Sequence, residues 1–495
     1  MDGDLVLHEL TIDGFHGALR GGELTAVQLV DWYLARIEAN NNSGAQLQAV
    51  VTVNPRARDD AAAHDEYLAA NGRLSGPLHG VPILVKDQVE TAGIRTTFGS
   101  ILFEDYVPQR DATLVTNLKK AGAVILAKTS LCDFAAGWFS SSSMTDHTKN
   151  PYSLEREAGG SSAGTAAGIA ANFGLTGIGE DTGGSIRIPA SFNNIFGLRV
   201  TTGMISRTGL SPLVHFQDTP GPIGRTVADV ARTLDSIVGY DPEDPFTFGP
   251  GDMSTGDGYA QALDVELSLT HWRIGVLESG FGSDRNPDME PVNGVVRAAV
   301  SRLDELGVPV TPGLQIPELS RWITDTAGYV QQSKSDIDGF LAVRPTAPVS
   351  SFMEVYGSRR FHPLNDLFHG IAEGPDKLDD AEYRRIRKGQ EDFQEHIVGI
   401  LADHGVDFLV YPTVQVIPPT RNELAAAKYE CLTFPTNTVI AAQAGLPALT
   451  IPVGFTEEGL PVGMELLGTP FAEANMLQFA QAWERATLFR RAPAL

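Results

Sequence analysis

The most informative stretch of the chain, residues 158–203, is AGGSSAGTAAGIAANFGLTGIGEDTGGSIRIPASFNNIFGLRVTTG. It holds 11 glycines in 46 residues and sets serines among glycines in two clusters, 159–164 and 181–187. Glycine permits positive φ and close backbone approach, so N–H groups can point into a cavity instead of joining a strand ladder. A serine placed there has oxyanion donors beside it, as acyl transfer requires. The same composition also fits a small-residue turn, so composition alone leaves both interpretations open.

One familiar pattern in this stretch is G-x-S-x-G, formed by Gly160, Ser162 and Gly164. In the α/β-hydrolase nucleophile elbow, this string directly follows a buried strand. Residues 153–158 are polar and charged, and no histidine is distinguished as a partner by its surroundings. An α/β-hydrolase with Ser162 as nucleophile is therefore a remote alternative.

Lys86 is the candidate base if histidine does not activate the serine. It ends the apolar run 81–85, which predicts a buried strand that carries the amine at its end. Burial disfavours the ammonium form, so a buried lysine can be neutral and accept a proton. A surface lysine leaving a strand end is the other interpretation of this pattern.

Helical and strand patterns alternate along most of the chain. Thr25 and Gln28 form a capping box, Asn54 and Pro55 are predicted to start the next helix, and Asp111 to open another. Strands are predicted at 81–85, 123–127, 273–277, 407–411, 448–453 and 462–468, and helices at 111–120, 226–238, 291–305, 380–403 and 472–487. The alternation predicts an α/β fold with a mixed sheet covered by helices.

Six segments in fixed order resemble the amidase signature family of serine hydrolases. They are GPLHGVPILVKD, GAVILAKTSLCDFA, GGSSAGTAAGIAA, GEDTGGSIRIPAS, GPIGRTVADVARTLDSIVG and AGLPALTIPVGFTEEGLPVGMELLGTPFAEANML. The resemblance implies one large domain over 1–495, with a twisted, mostly parallel β-sheet that has helices on both faces. The family-like core is about 65–240 and 405–490, the variable substrate-shaping insert about 241–404, and the N-terminal helical segment 1–64.

The resemblance also implies a role for each matching site residue. Ser185 would be the nucleophile, Ser161 the bridging serine after a cis peptide bond, and Lys86 the base. The oxyanion hole would be formed by the backbone N–H groups of Thr182, Gly183, Gly184 and Ser185. The loop would be supported by Ser162, Asp181 and Arg187. The implied reaction is hydrolysis of a carboxylic amide through an acyl-enzyme, and aryl amides, oligoamides, esters and carbamates remain open as substrates.

Two departures from the family pattern bear on the site. Glu180 stands where the family usually has a small polar residue, and Ile188 stands where the A subunits of glutaminyl-tRNA amidotransferases typically carry Gln. Ile188 therefore favours a stand-alone amidase, and an amidotransferase-type A subunit that works only with partner subunits is the alternative. The aromatic residues of 312–380 are expected either to line an acyl pocket or to pack between helices.

Charge and composition indicate which partners to expect. Lys and Arg number 37 against 61 Asp and Glu, a net charge of −24, which argues against nucleic acid and an anionic membrane as partners. The two cysteines are isolated and no metal motif occurs, so we expect neither a metal site nor a cofactor. The start of the chain lacks a signal pattern and no apolar run of about 20 residues occurs. We expect a cytoplasmic monomer or homodimer that acts on a small-molecule amide.

Overall fold

The computed structural model describes residues 7–248 and 258–495. Residues 1–6, in the predicted N-terminal segment, and 249–257, in the predicted insert, lie outside the described residues. The division into core, insert and N-terminal segment stays a prediction.

Thirteen strands occur in the described residues. They are β1 (Val50–Val53), β2 (Pro82–Lys86), β3 (Val124–Thr129), β4 (Lys149–Asn150), β5 (Ser153–Glu157), β6 (Thr176–Glu180), β7 (Phe196–Arg199), β8 (Pro220–Gly224), β9 (Ile274–Leu277), β10 (Val310–Leu314), β11 (Phe408–Pro412), β12 (Ala448–Phe455) and β13 (Pro461–Leu467).

Eleven of these strands form one mixed sheet in the order β1-β3-β2-β6-β8-β7-β12-β13-β11-β9-β10. The pairs β3–β2, β2–β6, β11–β9 and β9–β10 are parallel. The six pairs β1–β3, β6–β8, β8–β7, β7–β12, β12–β13 and β13–β11 are antiparallel. The mixed sheet is confirmed. Its four parallel pairs lie on either side of an antiparallel centre, and β1 joins β3 antiparallel at one edge. Within the centre, β12 returns directly as β13, a connection that an antiparallel pair allows without a helical crossover.

The α-helices in the described residues follow the same alternation. They are α1 (Ile12–Gly21), α2 (Ala26–Asn40), α3 (Ala57–Asn71), α4 (Thr113–Lys120), α5 (Ala163–Ala170), α6 (Arg187–Phe192), α7 (Val227–Ile237), α8 (Tyr259–Ala262), α9 (Glu290–Glu305), α10 (Leu319–Thr326), α11 (Tyr329–Ala342), α12 (Phe352–Ser358), α13 (Leu367–Glu373), α14 (Asp380–His404), α15 (Arg421–Ala425), α16 (Thr438–Gln443) and α17 (Glu473–Thr487). Helices α5 and α6 pack against each other and against the middle of the sheet, as do α7 and α17.

Local sequence signals set some helix starts correctly and others wrongly. The capping box of Thr25 and Gln28 is confirmed at the start of α2. The prediction that Asn54 caps the next helix is wrong, because α3 begins at Ala57. The Asn54 amide instead donates to the Ile125 carbonyl at 2.7 Å, which ties residue 54 to β3. Asp111 does not cap α4, since its carboxylate accepts the Ala92 N–H at 2.8 Å.

The fold places the two glycine-rich clusters of the sequence beside the end of β2. The first cluster lies between β5 and α5, and the second lies between β6 and α6. Strand β6 is parallel to β2, so the carboxyl ends of both strands meet at one edge of the sheet. This edge is where Lys86, at the end of β2, faces both serine-containing loops.

The predicted insert, 241–404, combines sheet strands with helices. Strands β9 and β10 belong to the main sheet, and α10 to α14 follow them. Buried aromatic residues of α11 and α12 share an apolar cluster with Trp138, Phe139 and Ile188. The helical part of 241–404 therefore packs against the edge of the sheet that carries the serine loops.

Candidate active site

The Lys86 amine is buried at the point where the two loops meet. All five residues of β2 are buried, and Lys86 has no exposed surface. Its Nζ donates to Ser161 Oγ at 2.8 Å, to the Glu180 carbonyl at 3.1 Å and to Glu180 Oε2 at 3.4 Å. Burial lowers the pKa of Lys86, while the Glu180 carboxylate opposes that shift. A lysine in this position can reach the neutral form that a base requires.

The first serine loop is held tightly against neighbouring backbone. The Gly160–Ser161 peptide bond is cis. The Gly160 N–H donates to the Trp138 carbonyl at 2.8 Å, and a Cβ on Gly160 would lie 2.2 Å from the Phe139 carbonyl oxygen. Only glycine fits at position 160, because any side chain there would overlap the Phe139 backbone. This close packing holds Ser161, the next residue, beside Lys86.

Ser162 connects the two serine loops. Its hydroxyl lies 3.2 Å from both the carbonyl and the N–H of Glu180, donating to one and accepting from the other. Its backbone N–H donates to the Ser185 carbonyl at 3.0 Å. Strand β5 does precede this loop, but it pairs with β4 and forms a single bridge to Thr420, outside the main sheet. The buried strand of a nucleophile elbow is therefore missing before Ser162 within the described residues.

The second serine loop brings Ser185 to the start of α6, with 1% of its surface exposed. Gly184 has φ +146°, and a Cβ there would lie 2.0 Å from Thr438 Oγ1. Thr438 Oγ1 also donates to the Gly183 carbonyl at 2.7 Å. Among the residues that the structure describes, no hydrogen bond joins the Ser161 and Ser185 hydroxyl groups, so that step of the relay stays a prediction.

A buried charge network lies directly behind Ser185. Arg187 donates to both carboxylate oxygens of Asp181, at 3.1 and 3.0 Å, and to Glu465 at 2.5 Å. Arg199 forms a further pair with Asp181 at 3.1 Å. Burial alone would raise the pKa of Asp181, but the two guanidinium groups hold it below its usual value. The network fixes both ends of the 181–187 loop to the sheet.

Two aromatic residues cover the second loop. The rings of Trp138 and Tyr329 meet edge to face with centroids 5.7 Å apart. A Cβ on Gly183 would lie 2.3 Å from an atom of each side chain. Gln217 donates to the Thr182 carbonyl at 2.5 Å and to the Tyr329 hydroxyl at 3.0 Å. The loop thus has one face on the charge network and the other on an aromatic surface.

Trp138 and Gln217 are site residues that sequence reasoning did not name, whereas Tyr329 is one of the aromatic residues of 312–380 for which an acyl pocket was one expectation. The aromatic richness of 312–380 pointed toward Tyr329, but no spacing in the sequence connects it with Gly183. Trp138 lies three residues beyond the matched segment 122–135. Its position next to a family segment could have indicated that it lies near the site, whereas Tyr329 and Gln217 lie outside the matched segments.

The described residues, 7–248 and 258–495, were compared with the requirements of a metal site and of a membrane-spanning helix. Over that part of the chain, no group of three or more His, Cys, Asp or Glu side chains could hold a metal ion. None of the helices described there combines the length and apolar character that crossing a membrane requires.

A lysine, two serine loops and a mixed sheet in this arrangement define the amidase signature class, and sequence comparison agrees. The model of the family named Amidase matches residues 28–477, and the chain belongs to the amidase signature family. The A subunit of a glutamyl-tRNA(Gln) amidotransferase from Moorella thermoacetica is 35% identical, with 98% of each chain covered.

Solved structures show the same relationship. The native peptide amidase from Stenotrophomonas maltophilia superposes with a TM-score of 0.87 at 33% identity, covering 98% of both chains. The A subunit of the glutamyl-tRNA(Gln) amidotransferase from Thermotoga maritima gives a TM-score of 0.73 at 26% identity, covering 99% of this chain and 98% of its own. Family membership places this protein among C–N hydrolases and amidotransferases.

Proposed function

We propose that this protein hydrolyses a carboxylic amide that is not an internal peptide bond, through Ser185, Ser161 and Lys86, without a partner protein. The main support is the 2.8 Å hydrogen bond between the fully buried Lys86 amine and Ser161 Oγ. Ser185 lies on the adjoining loop, whose carbonyl accepts the Ser162 N–H. These contacts support the proposed roles, because they hold Lys86, Ser161 and Ser185 at one edge of the sheet.

The proposed reaction has two stages. Neutral Lys86 takes the hydroxyl proton of Ser161 as Ser161 takes that of Ser185, and Ser185 Oγ attacks the acyl carbon. The proton returns through Ser161 to the leaving nitrogen, which departs as an amine or ammonia. Water then attacks the acyl-enzyme and gives the carboxylic acid. Backbone N–H groups of the 182–185 loop would stabilise the oxyanion, and esters and carbamates could react by the same steps.

The walls around the loop favour a neutral, apolar acyl group. Trp138 and Tyr329 cover Gly183, and Ile188 lies beside Gly184. All three belong to one buried apolar cluster. In contrast, Trp322 of the same aromatic segment stacks on Phe393, with centroids 5.3 Å apart. Part of the 312–380 segment therefore suits an acyl pocket, and part of it packs between helices.

An amidotransferase-type A subunit is the second candidate, because curated relatives of that name reach 35% identity. Two observations favour the stand-alone enzyme. The TM-score is higher for peptide amidase, at 0.87, than for the Thermotoga maritima protein, at 0.73. Ile188 also presents an apolar side chain beside Gly184, where we expect Gln in the amidotransferases. Turnover of a panel of aryl and aliphatic amides by the purified lone chain would support hydrolysis, and turnover only with added partner subunits would reject it.

A fluorophosphonate probe tests the nucleophile directly, because it forms a stable adduct with an activated serine. We expect the labelled peptide to carry its adduct on Ser185. Ser185→Ala and Lys86→Met should abolish labelling, while Ser162→Ala should retain an adduct on Ser185. An adduct on Ser162 in the unaltered protein would reject the proposal in favour of the elbow. Labelling of Lys86→Met at the unaltered rate would reject lysine as the base.

A further inference from the structure

The ammonium form of Lys86 poses an electrostatic problem in this site. When Lys86 accepts a proton, a positive charge forms on a group with no exposed surface. An isolated buried charge is strongly unfavourable unless an opposite charge and hydrogen bonds compensate it. The proposed relay therefore needs a counter-ion close to Nζ.

Most ionisable groups around Lys86 cannot fill that role. Burial raises the pKa of the Cys132 thiol, which keeps it uncharged. The Asp181 carboxylate is already paired with Arg187 and Arg199. The neighbouring Asp87 is paired with Lys128 at 3.3 Å. The Glu180 carboxyl contacts the Lys86 amine, and Asp218 contacts Thr182, which also contacts Glu180.

Glu180 meets the requirement with both carboxyl oxygens. Oε2 lies 3.4 Å from Lys86 Nζ, and the side chain is 1% exposed. Oε1 lies 3.2 Å from Thr182 Oγ1, which fixes the carboxyl on its other side. The backbone carbonyl of the same residue also accepts from Lys86 Nζ at 3.1 Å. One residue thus holds the amine from two directions while Ser161 occupies a third.

We propose that Glu180 is a positioning residue whose carboxylate fixes Lys86 against Ser161 and stabilises the ammonium formed during the relay. This inference rests on the proposed function, because only a lysine acting as the base passes through an ammonium form. Glu180 itself gains and loses no proton in the step. The Ser161 proton moves to Lys86 Nζ and later returns through Ser161 to the leaving nitrogen.

The number of protons shared by Glu180, Thr182 and Asp218 gives an independent reason to expect that one of the two carboxyls titrates. Thr182 Oγ1 lies 3.2 Å from Glu180 Oε1 and 2.5 Å from Asp218 Oδ1, yet it carries one hydrogen. Both contacts are hydrogen bonds only when one of the two carboxyls is protonated. Burial raises the pKa of Glu180 to about 7, against the attraction of Lys86. The ionised Glu180 required by the relay therefore becomes populated around neutral pH.

The pH dependence of labelling distinguishes this role from simple packing. The rate of fluorophosphonate labelling at Ser185 would be measured from about pH 5 to about pH 10 for the full chain. In Glu180→Gln, loss of the negative charge lowers the pKa of Lys86, so the acid limb should move down by about one to three pH units. The plateau rate should fall roughly 10- to 100-fold, because the ammonium loses a charge-assisted hydrogen bond.

Three further variants complete the experiment. Glu180→Ser should show the same downward shift, which decides the question if the glutamine variant does not fold. In Glu180→Asp, the acid limb of the pH–rate profile should lie close to that of the unaltered protein, because the negative charge is retained. Glu473→Gln, which alters a buried carboxyl that accepts from Thr201, should leave the curve unchanged.

An acid limb that stays in place in Glu180→Gln and Glu180→Ser, or moves upward, would overturn the proposal even if the plateau falls. Failure of the underlying function looks different. In that case the adduct is absent from Ser185, or Lys86→Met labels as fast as the unaltered protein.

Discussion

Replacing Arg187 by methionine tests whether a buried charge network stabilises the loop that carries Ser185. Arg187 has no exposed surface and donates to Asp181 twice, to Glu465 at 2.5 Å and to the Thr438 carbonyl at 2.8 Å. Methionine retains much of the side-chain volume, so the change removes the charge and its hydrogen bonds while leaving little cavity. The expected result is a large loss of stability.

The size of the stability loss depends on the partners that Asp181 and Glu465 keep when Arg187 is replaced. Removing one partner of a buried ion pair costs about 3–5 kcal/mol. Asp181 keeps Arg199 at 3.1 Å, and Glu465, whose pKa burial raises to about 7, can take up a proton. Both effects reduce the cost, so we expect about 3 kcal/mol at neutral pH. The cost should shrink as the pH falls, because protonated Glu465 no longer needs a cation.

Urea unfolding, followed by tryptophan fluorescence at about pH 7 and about pH 5.5, measures this cost. Arg58→Met is the matched control, because Arg58 also donates to both oxygens of Asp31, at 2.8 and 2.9 Å, but on the surface. The control should leave the midpoint nearly unchanged. Equal shifts for the two variants, or a larger Arg187→Met effect at the lower pH, would refute the reasoning.

Two further predictions concern the loop backbone and a buried carboxyl. Gly184→Ala should lower the rate of labelling at Ser185 by about 100-fold or more, because its φ is +146° and the new Cβ would meet Thr438 Oγ1 at 2.0 Å. Gly339→Ala, where a Cβ has no neighbour within 4 Å, should label normally, and full labelling of Gly184→Ala would contradict this account. Burial raises the pKa of Glu157 from 4.5 to about 7. A carboxyl whose pKa is higher in the folded state lowers the stability of the folded protein as the pH rises from 4.5 toward 7. Glu157→Gln should therefore gain stability relative to the unaltered protein between about pH 5 and about pH 8, by up to about 3 kcal/mol, whereas a difference in melting temperature that is independent of pH would contradict the assignment.

The helices and strands with strong periodicity were predictable from sequence. The predicted helix at 226–238 is observed as Val227–Ile237, and that at 472–487 as Glu473–Thr487. Such segments are fixed by an apolar stripe that must be buried. Asn54 shows the contrary case, because its side-chain amide donates to the Ile125 carbonyl on β3 and the residue does not cap a helix. Local propensity cannot reveal that competition, because the partner lies 71 residues away.

The site was predictable as a set of residue types and only partly as an arrangement. The resemblance predicts roles for Lys86, Ser161 and Ser185, and the fold brings the first two into contact. The contact of Glu180 with Lys86 was missed, although the sequence marked Glu180 as unusual for its family. The contact of Tyr329 with the 181–187 loop was also missed, although the aromatic residues of 312–380 were candidates for an acyl pocket. Both depend on how separate segments meet in space, which no local pattern records.

The long separation between Arg187 and its partners has a consequence for the newly made chain. Glu465 follows Arg187 by 278 residues and Thr438 by 251. At about 5–20 residues per second, the ribosome needs roughly 14–56 s to add the segment that ends at Glu465. Arg187 lacks both contacts until the chain reaches Thr438, and it lacks the pair with Glu465 until the end of that interval. The contacts that hold the 181–187 loop can therefore be completed only near the end of synthesis, and fragments that stop before β13 lack the contact between Arg187 and Glu465.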